Sequence, residues 1–264
     1  MLLRLRAIPT LNRDSDMRLK VLSTGSRGNC YLLQDGDEIL ILDAGLPIRR
    51  IMEAIDNPEE IVGCLITHEH MDHAKAAYDL AKRGIKVYAS AGTWAAIQGD
   101  KPRLWSQCYA YKDWSVSLGR YQVFPFPTEH DAAEPMGFVI RNNATNEKLL
   151  YATDTFYLRR TFPGMHYWLV ECNYCEDQLD RMLYDGLIDI ELRNRLKKSH
   201  MSLGRLEEAL SLNDLTVTRK IILCHLSDQR SDERRMVKEI LESTGIDTVA
   251  ADAQMEIPLE LAPF

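Results

Sequence analysis

Residues 68–73 read His-Glu-His-Met-Asp-His, which places three of the chain's seven histidines and an aspartate within six positions. Imidazole and carboxylate are ligands of zinc, and they also suit iron and manganese. A packed core has no use for such a cluster, and a solvated surface has no reason for it. The zincin pattern His-Glu-x-x-His puts two histidines at i and i+4 on a helix; here Asp72 occupies the i+4 place, so that motif fails. The cluster begins where the apolar run IVGCLIT (61–67) stops. On extended chain His68 and His70 project to the same side and can grip one metal. The chain then turns, offering Asp72 and His73 to a second metal as a helix starts at Ala74.

The same positional pattern recurs. Asp43 closes EILILD (38–43), TEHD (128–131) follows YQVFPFP, Asp154 closes KLLYATD (148–154), and His225 closes RKIILCH (219–225). Five apolar runs thus end in Asp or His. If they are neighbouring strands, their ends converge on one sheet edge, where α/β proteins commonly place their sites. That adds His130, Asp154 and His225 to the expected metal ligands. His166 precedes a strand without following one and reads as an ordinary structural histidine.

The elements that must position these residues are short. Beside the five runs above, LKVL (19–22), CYLL (30–33), IKVYAS (85–90), GFVI (137–140) and YWLVEC (167–172) have the length and the β-branched or aromatic content of strands. HAKAAYDLAKRG has helical spacing, with Ala74, Ala77, Tyr78 and Ala81 on one face and Gly84 as its stop. SLGRLEEALS and SDERRMVKEILEST read the same way, with Ser202 and Ser231 as N-caps. Strands with interspersed helices suit two sheets packed face to face with helices outside. No repeat or Pro/Gly-rich linker divides the chain, which favours one domain over residues 17–264.

Met17 reads as a second start beside Met1, leaving residues 1–16 as an extension outside the core. No apolar run approaches the ~20 residues needed to cross a bilayer, so no membrane association is expected. The six cysteines form no paired zinc ribbon; Cys30, Cys64, Cys172 and Cys224 lie in or beside apolar runs, as buried thiols do in a reducing cytoplasm. A formal charge of −7 counts mildly against a nucleic-acid binder. Bound divalent ions would offset it where a phosphate must sit. RNRLKK (193–198) and Arg230, Arg234 and Arg235 are local basic groups that read most simply as solvated helix faces.

Asp43, HEHMDH, His130, Asp154 and His225, in that order, resemble the signature of the metallo-β-lactamase superfamily. The resemblance implies an α/β (α+β) fold, an αββα sandwich of two mixed sheets with helices outside, and a two-metal site on its edge. A narrower likeness to the YycJ (WalJ) branch, close to ribonuclease Z and linked to DNA exonuclease activity, rests on STGSRGNCYLL (23–33), LDAGL (42–46), TEHDAAEPMGF (128–138), YATDT, ECNY and ILCHLS (222–227). It implies that His68, His70 and His130 hold one metal, that Asp72, His73 and His225 hold the other, and that Asp154 bridges them. Asp43 would orient a ligand histidine, a role with independent physical sense. SHMSLGR (199–205) resembles the branch's proton-donating histidine motif GHLSN, with Ser199 for its glycine and Leu203 for its asparagine.

The expected reaction is phosphodiester hydrolysis by a dinuclear-metal hydrolase, with nucleic acid or a nucleotide as substrate and zinc ahead of manganese or iron as the metal. In this reading a metal-activated hydroxide attacks phosphorus and Asp72 orients it. His200, before a helix N-terminus, protonates the leaving oxygen. Asn29 and Ser202 are expected to touch substrate. A small or cyclic nucleotide phosphodiesterase, a glyoxalase II-type thioesterase with the same ligands but no need of His200, and a binding module on a decayed site are the alternatives.

Overall fold

The computed structural model describes residues 17–97, 105–107, 114–227 and 230–259. Residues 1–16 and Cys108 lie outside the described residues. Met17 is buried, and its carbonyl accepts from Leu259 N at 2.8 Å, so the described chain begins inside the packed structure.

Two seven-stranded sheets face each other. The first comprises β1 (Arg18–Ser23), β2 (Cys30–Asp35), β3 (Glu38–Leu42), β4 (Ile61–Leu65), β5 (Val87–Ala89), β6 (Trp105–Gln107) and, beside β1, the late strand β14 (Glu256–Pro258). The second runs in simple order through β7 (Val116–Leu118), β8 (Tyr121–Pro127), β9 (Met136–Asn142), β10 (Lys148–Ala152), β11 (Tyr167–Glu171), β12 (Lys220–Cys224) and β13 (Asp247–Ala250). Both sheets are mixed: β1–β3 and β7–β10 pair antiparallel, β3–β6 and β10–β13 parallel. α1 (Ile48–Glu53), α2 (Met71–Ala74), α3 (Ala77–Lys82) and α4 (Ala91–Ala96) follow first-sheet strands; α5 (Glu176–Tyr184), α6 (Ile190–Ser199), α7 (Leu203–Ser211) and α8 (Glu233–Thr244) follow second-sheet strands.

Side-chain alternation explains the layering. In β3, Leu40 and Leu42 join the core between the sheets, while Ile39 and Ile41 pack outward with Ile51, Leu80 and Trp94 of the helices. In β12, Ile222 and Cys224 face inward, and Ile221 and Leu223 lie with Leu206 and Ile240. A strand covered on both faces reads as a continuous apolar run, which is why these strands were visible in sequence. The result is the expected helix–sheet–sheet–helix sandwich. No helix among the described residues is long and apolar enough to cross a membrane.

Two expectations need correction. The helix expected from Ala74 starts at Met71, with His70 at its N-cap, and is split in two: Ala76 N donates to Ala44 O at 2.8 Å instead of continuing the helical ladder. Asp72 and His73 therefore lie within the first helical turn. At α8 the cap is Asp232, whose side chain accepts from Arg235 N, while the Ser231 hydroxyl donates to Ser227 O. The Ser202 cap on α7 is as expected, accepting from Arg205 N.

The loops carrying the histidine cluster interlock through their backbones. Asn29 N donates to Asp72 O at 2.7 Å, Ala44 N to His73 O at 2.7 Å, and Gly45 N to Asn29 O at 2.9 Å. A Cβ on Gly45 would stand 1.7 Å from Asp72 O and 2.7 Å from Asn29 N. Gly45→Ala must therefore push α2 away. Overpacking of this kind costs about 1–3 kcal/mol, and denaturant unfolding should show that loss together with weakened metal retention. An unchanged midpoint and metal content would contradict this interlock.

Candidate metal centre

Asp43, Asp154 and His225 each occupy the first position after a strand or close to it, and all three have left-handed backbones, with φ of 55°, 46° and 53°. Such conformations are uncommon outside glycine, though Asp and His tolerate them better than most. The reversal folds each side chain back over the sheet edge. Together with the α2 turn and the loop after β8, it brings the sequence-marked residues into one place.

Asp154 lies at the centre, with 3% of its surface exposed. Its Oδ2 is 3.8 Å from His68 Nε2 and 3.4 Å from His130 Nε2, while its Oδ1 is 3.4 Å from both His73 Nε2 and His225 Nε2. His70 joins the first group, with its Nδ1 3.2 Å from His130 Nε2. Asp72 joins the second, with its Oδ2 3.6 Å from His73 Nε2 and 3.7 Å from His225 Nε2. The ligand atoms of His68, His70, His130 and Asp154 all lie within 4.8 Å of one another, as do those of Asp72, His73 and His225.

The outer nitrogens of four imidazoles are anchored. His73 Nδ1 donates to Asp43 Oδ2 at 2.7 Å, and His130 Nδ1 to Ser199 O at 2.8 Å. Thr67 Oγ1 lies 3.0 Å from both Asp43 carboxylate oxygens and 3.1 Å from His68 Nδ1. Donating to the carboxylate, Thr67 accepts from His68. His225 Nδ1 faces Glu171 Oε1 at 3.2 Å. With Nδ1 turned outward in each, every Nε2 faces the Asp154 carboxylate. Asp43 itself is fully buried and further held by Thr67 N at 2.8 Å and Tyr151 Oη at 2.5 Å.

These residues fit divalent ions. His68 Nε2 and His225 Nε2 are buried without any hydrogen-bond partner, a condition that ordinarily costs ~1–3 kcal/mol per group. Two atoms each about 2.0–2.1 Å from a shared tetrahedral ion stand roughly 3.3 Å apart, close to the 3.4 Å separations around Asp154.

The electrostatics point the same way. Burial would lower the His73 pKa, but Asp154 and Asp43 hold it well above its ordinary value. Burial likewise opposes protonation of His225, yet Asp154, Asp72 and Glu171 push it up to about 10. His68 is pulled well below its usual range by burial and by the neighbouring His73 charge. Asp154, despite burial, is held well below the carboxylate range by His225 and His73.

Glu171, at the end of β11, went unmarked in the sequence reading. It is fully buried, accepts from Thr155 N and Met201 N at 3.0 Å each, and binds His200 Nδ1 at 2.6 Å. The His200 ring stacks on His225 at a centroid distance of 5.4 Å and lies 5.4 Å from the His130 ring. Glu171 closes an apolar run just as Asp43 and Asp154 do; a search for terminal Asp and His passes over it.

Asn29 and Ser202 are the two residues expected to touch substrate. Both are buried: Asn29 exchanges hydrogen bonds with Gly25 and places its amide nitrogen 3.0 Å from His73 Nε2, and Ser202 is spent on its helix cap. His166 is structural, accepting from Lys148 N at 3.2 Å. Tyr174 is buried beside Leu179 and Leu196, and its bridge to Ser202 ties the end of β11 to α7.

The family model described as the beta-lactamase superfamily domain matches residues 39–226, a span that runs from β3 just past His225. The chain belongs to the metallo-β-lactamase superfamily, whose fold implies divalent metal ions. Within it the likeness is to the YycJ branch. The chain is 31% identical over 247 residues to the exodeoxyribonuclease YycJ of Bacillus anthracis, covering 87% of this chain and 90% of that protein. It is 26% identical over 250 residues to the exodeoxyribonuclease WalJ of Streptococcus pneumoniae, covering 88% of each. Among solved structures, the metallo-β-lactamase fold protein YhfI of Bacillus subtilis superposes with a TM-score of 0.68 at 15% identity, covering 92% of this chain and 99% of that one.

Metal and protons compete for the same nitrogens. The raised pKa values of His73 and His225 favour protons on both rings in the metal-free protein. Binding must expel them, so affinity should fall as pH falls. Calorimetric titration of the metal-free protein with zinc in buffers of different ionisation enthalpy should show net proton release at pH 7. Zero release would contradict these protonation states.

Proposed function

We propose that this chain is a dinuclear-metal phosphodiester hydrolase acting on nucleic acid, a nuclease of the exodeoxyribonuclease kind, formed by residues 17–264 as one domain and working in the cytoplasm. The reading rests on one observation above all: a single buried carboxylate divides its oxygens between two imidazole groups, beside a histidine held on its own buried glutamate. The names of the two full-length relatives, both exodeoxyribonucleases, supply the substrate class.

In this proposal His68, His70, His130 and Asp154 hold one ion, and Asp72, His73, His225 and Asp154 hold the other. Zinc is the first choice from the ligand types, ahead of manganese or iron. When bound, such a pair lowers the pKa of water and offsets charge on phosphoryl oxygens. Asp43, through His73, and Glu171, through His225, keep the ligand rings turned inward. The Asp72 carboxylate is held below its usual pKa despite burial, by His225 and His73, and stays ionised as an acceptor for the attacking water's proton.

His200 is the proton donor. Its Nδ1 is committed to Glu171, which leaves Nε2 to deliver a proton to the leaving oxygen. Burial disfavours the imidazolium, but Glu171 outweighs it and raises the pKa of the metal-free ring, which favours the protonated form that a proton donor needs. Its side chain is 16% exposed, enough for a substrate oxygen to reach it. General acid catalysis typically contributes ~10²–10⁴-fold.

The zinc-loaded protein should digest 5′-labelled duplex DNA in preference to RNA, cyclic nucleotides and S-lactoylglutathione. In His200→Ala, kcat on DNA should fall about 10²–10⁴-fold with metal content unchanged. Thioester turnover that survives this substitution, with no nucleotide product, would overturn the proposal.

A further inference from the structure

His130 Nε2 has two carboxylates at the same distance. Asp154 Oδ2 lies 3.4 Å from it, and so does Asp131 Oδ1. The ring is kept in this place by its Nδ1, fixed on Ser199 O at 2.8 Å. His70 Nδ1 stands 3.2 Å from the same nitrogen. Two atoms each about 2.0–2.1 Å from one tetrahedral ion are roughly 3.3 Å apart, so Asp131 meets the spacing that marks Asp154 and His70 as ligands. It differs in exposure: its side chain is 58% exposed, against 3% for Asp154.

The segment that carries Asp131 is pinned on both sides. Before it, Glu129 N donates to Thr155 Oγ1 at 3.0 Å, Glu129 O accepts from Phe156 N at 3.1 Å, and the Glu129 carboxylate pairs with Arg159. After it, Ala133 N donates at 2.7 Å to Glu69 Oε1, on the residue between His68 and His70. Asp131 is thus tied to the loop after Asp154 and to the histidine cluster at once. His68, His70, His130 and Asp154 close within 4.8 Å of one another without it, so Asp131 reaches the first metal position only from the side of His130. The carboxylates are otherwise unevenly shared: the second position has Asp72 beside Asp154, while the first has three imidazoles and Asp154 alone. Asp131 gives the first position a carboxylate of its own.

We infer that Asp131 is an outer, displaceable ligand of the first ion, held there until a phosphate oxygen of the substrate takes its place. Its exposure suits exchange. A carboxylate that is mostly in water regains its hydration on leaving an ion, whereas a buried one such as Asp154 is left uncompensated. One singly charged anion replaces another, so the charge around the ion is conserved through the exchange. The inference rests on the dinuclear phosphodiesterase reading and deepens it by naming a side chain that substrate must displace.

The test titrates the zinc-loaded full chain with a chromophoric chelator. Asp131→Ala should hold one of its two ions at least about tenfold more weakly than the wild type, the low end for groups that support a metal site, with the other ion unchanged. In the cobalt-loaded protein the same substitution should alter the visible d–d absorption, which reports the number of ligands on the ion. Saturated with zinc, Asp131→Ala should bind inorganic phosphate more tightly than the wild type, because no side chain has to be displaced. Glu134→Gln removes a charge from the same segment and keeps the acceptor that Gly92 N uses; it should match the wild type in all three measurements. The inference fails if Asp131→Ala keeps both ions and the wild-type cobalt spectrum, or if Glu134→Gln reproduces its losses. A lower melting temperature of metal-free Asp131→Ala would also count against it, and phosphate binding that is not tightened would overturn the exchange. Wild-type protein that holds fewer than two ions would sink the dinuclear reading as well. Two ions held equally well by wild type and Asp131→Ala would sink the role of Asp131 alone.

Discussion

The structure turns on the burial of the Asp154 carboxylate among imidazoles. A carboxylate at 3% exposure is costly, and among the described residues it is compensated by His68 and His130 on one oxygen and by His73, His225 and the Thr153 hydroxyl on the other. Without cations, the centre must borrow protons, which is why His73 and His225 have raised pKa values. Divalent ions replace those protons with fixed charge and satisfy the stranded Nε2 atoms at the same time. The arrangement is strained as protein alone and coherent as a ligand shell.

Holding it requires two further buried carboxylates. Asp43 gathers Thr67, Tyr151 and His73, and so joins the two sheets: Tyr151 comes from β10, Thr67 follows β4, and Asp43 follows β3. Glu171 gathers His200, His225 and two backbone amides, which ties the two rings to one carboxylate. Each sits directly after or at the end of a strand that is otherwise largely apolar and buried. Precision at the edge is thus inherited from packing in the middle, with the left-handed backbones at Asp43, Asp154 and His225 as the local cost.

Much of this was legible because burial leaves a trace in sequence. Strands covered on both faces read as apolar runs, and a charged or imidazole residue closing such a run has few structural reasons to be there. The ten strands expected from apolar runs are all present, and the four that escaped notice, β6, β7, β13 and β14, have only three or four residues each. The helix after the histidine cluster was misplaced because its break is caused by Ala44 O, thirty-two residues upstream, which local spacing cannot reveal. The burial of Asn29 and Ser202 was not legible, because nothing local distinguishes a buried turn or cap from an exposed contact. Glu171 obeys the same strand-end rule as the residues that were found and was missed only through its chemical type.

The central claim is that one carboxylate joins two ions, so the ions must sense each other. Electron paramagnetic resonance of the protein loaded with two equivalents of manganese measures this directly. The account predicts a spin-coupled pair in the wild type that is lost in Asp154→Ala. A wild-type spectrum of isolated, uncoupled ions would contradict it.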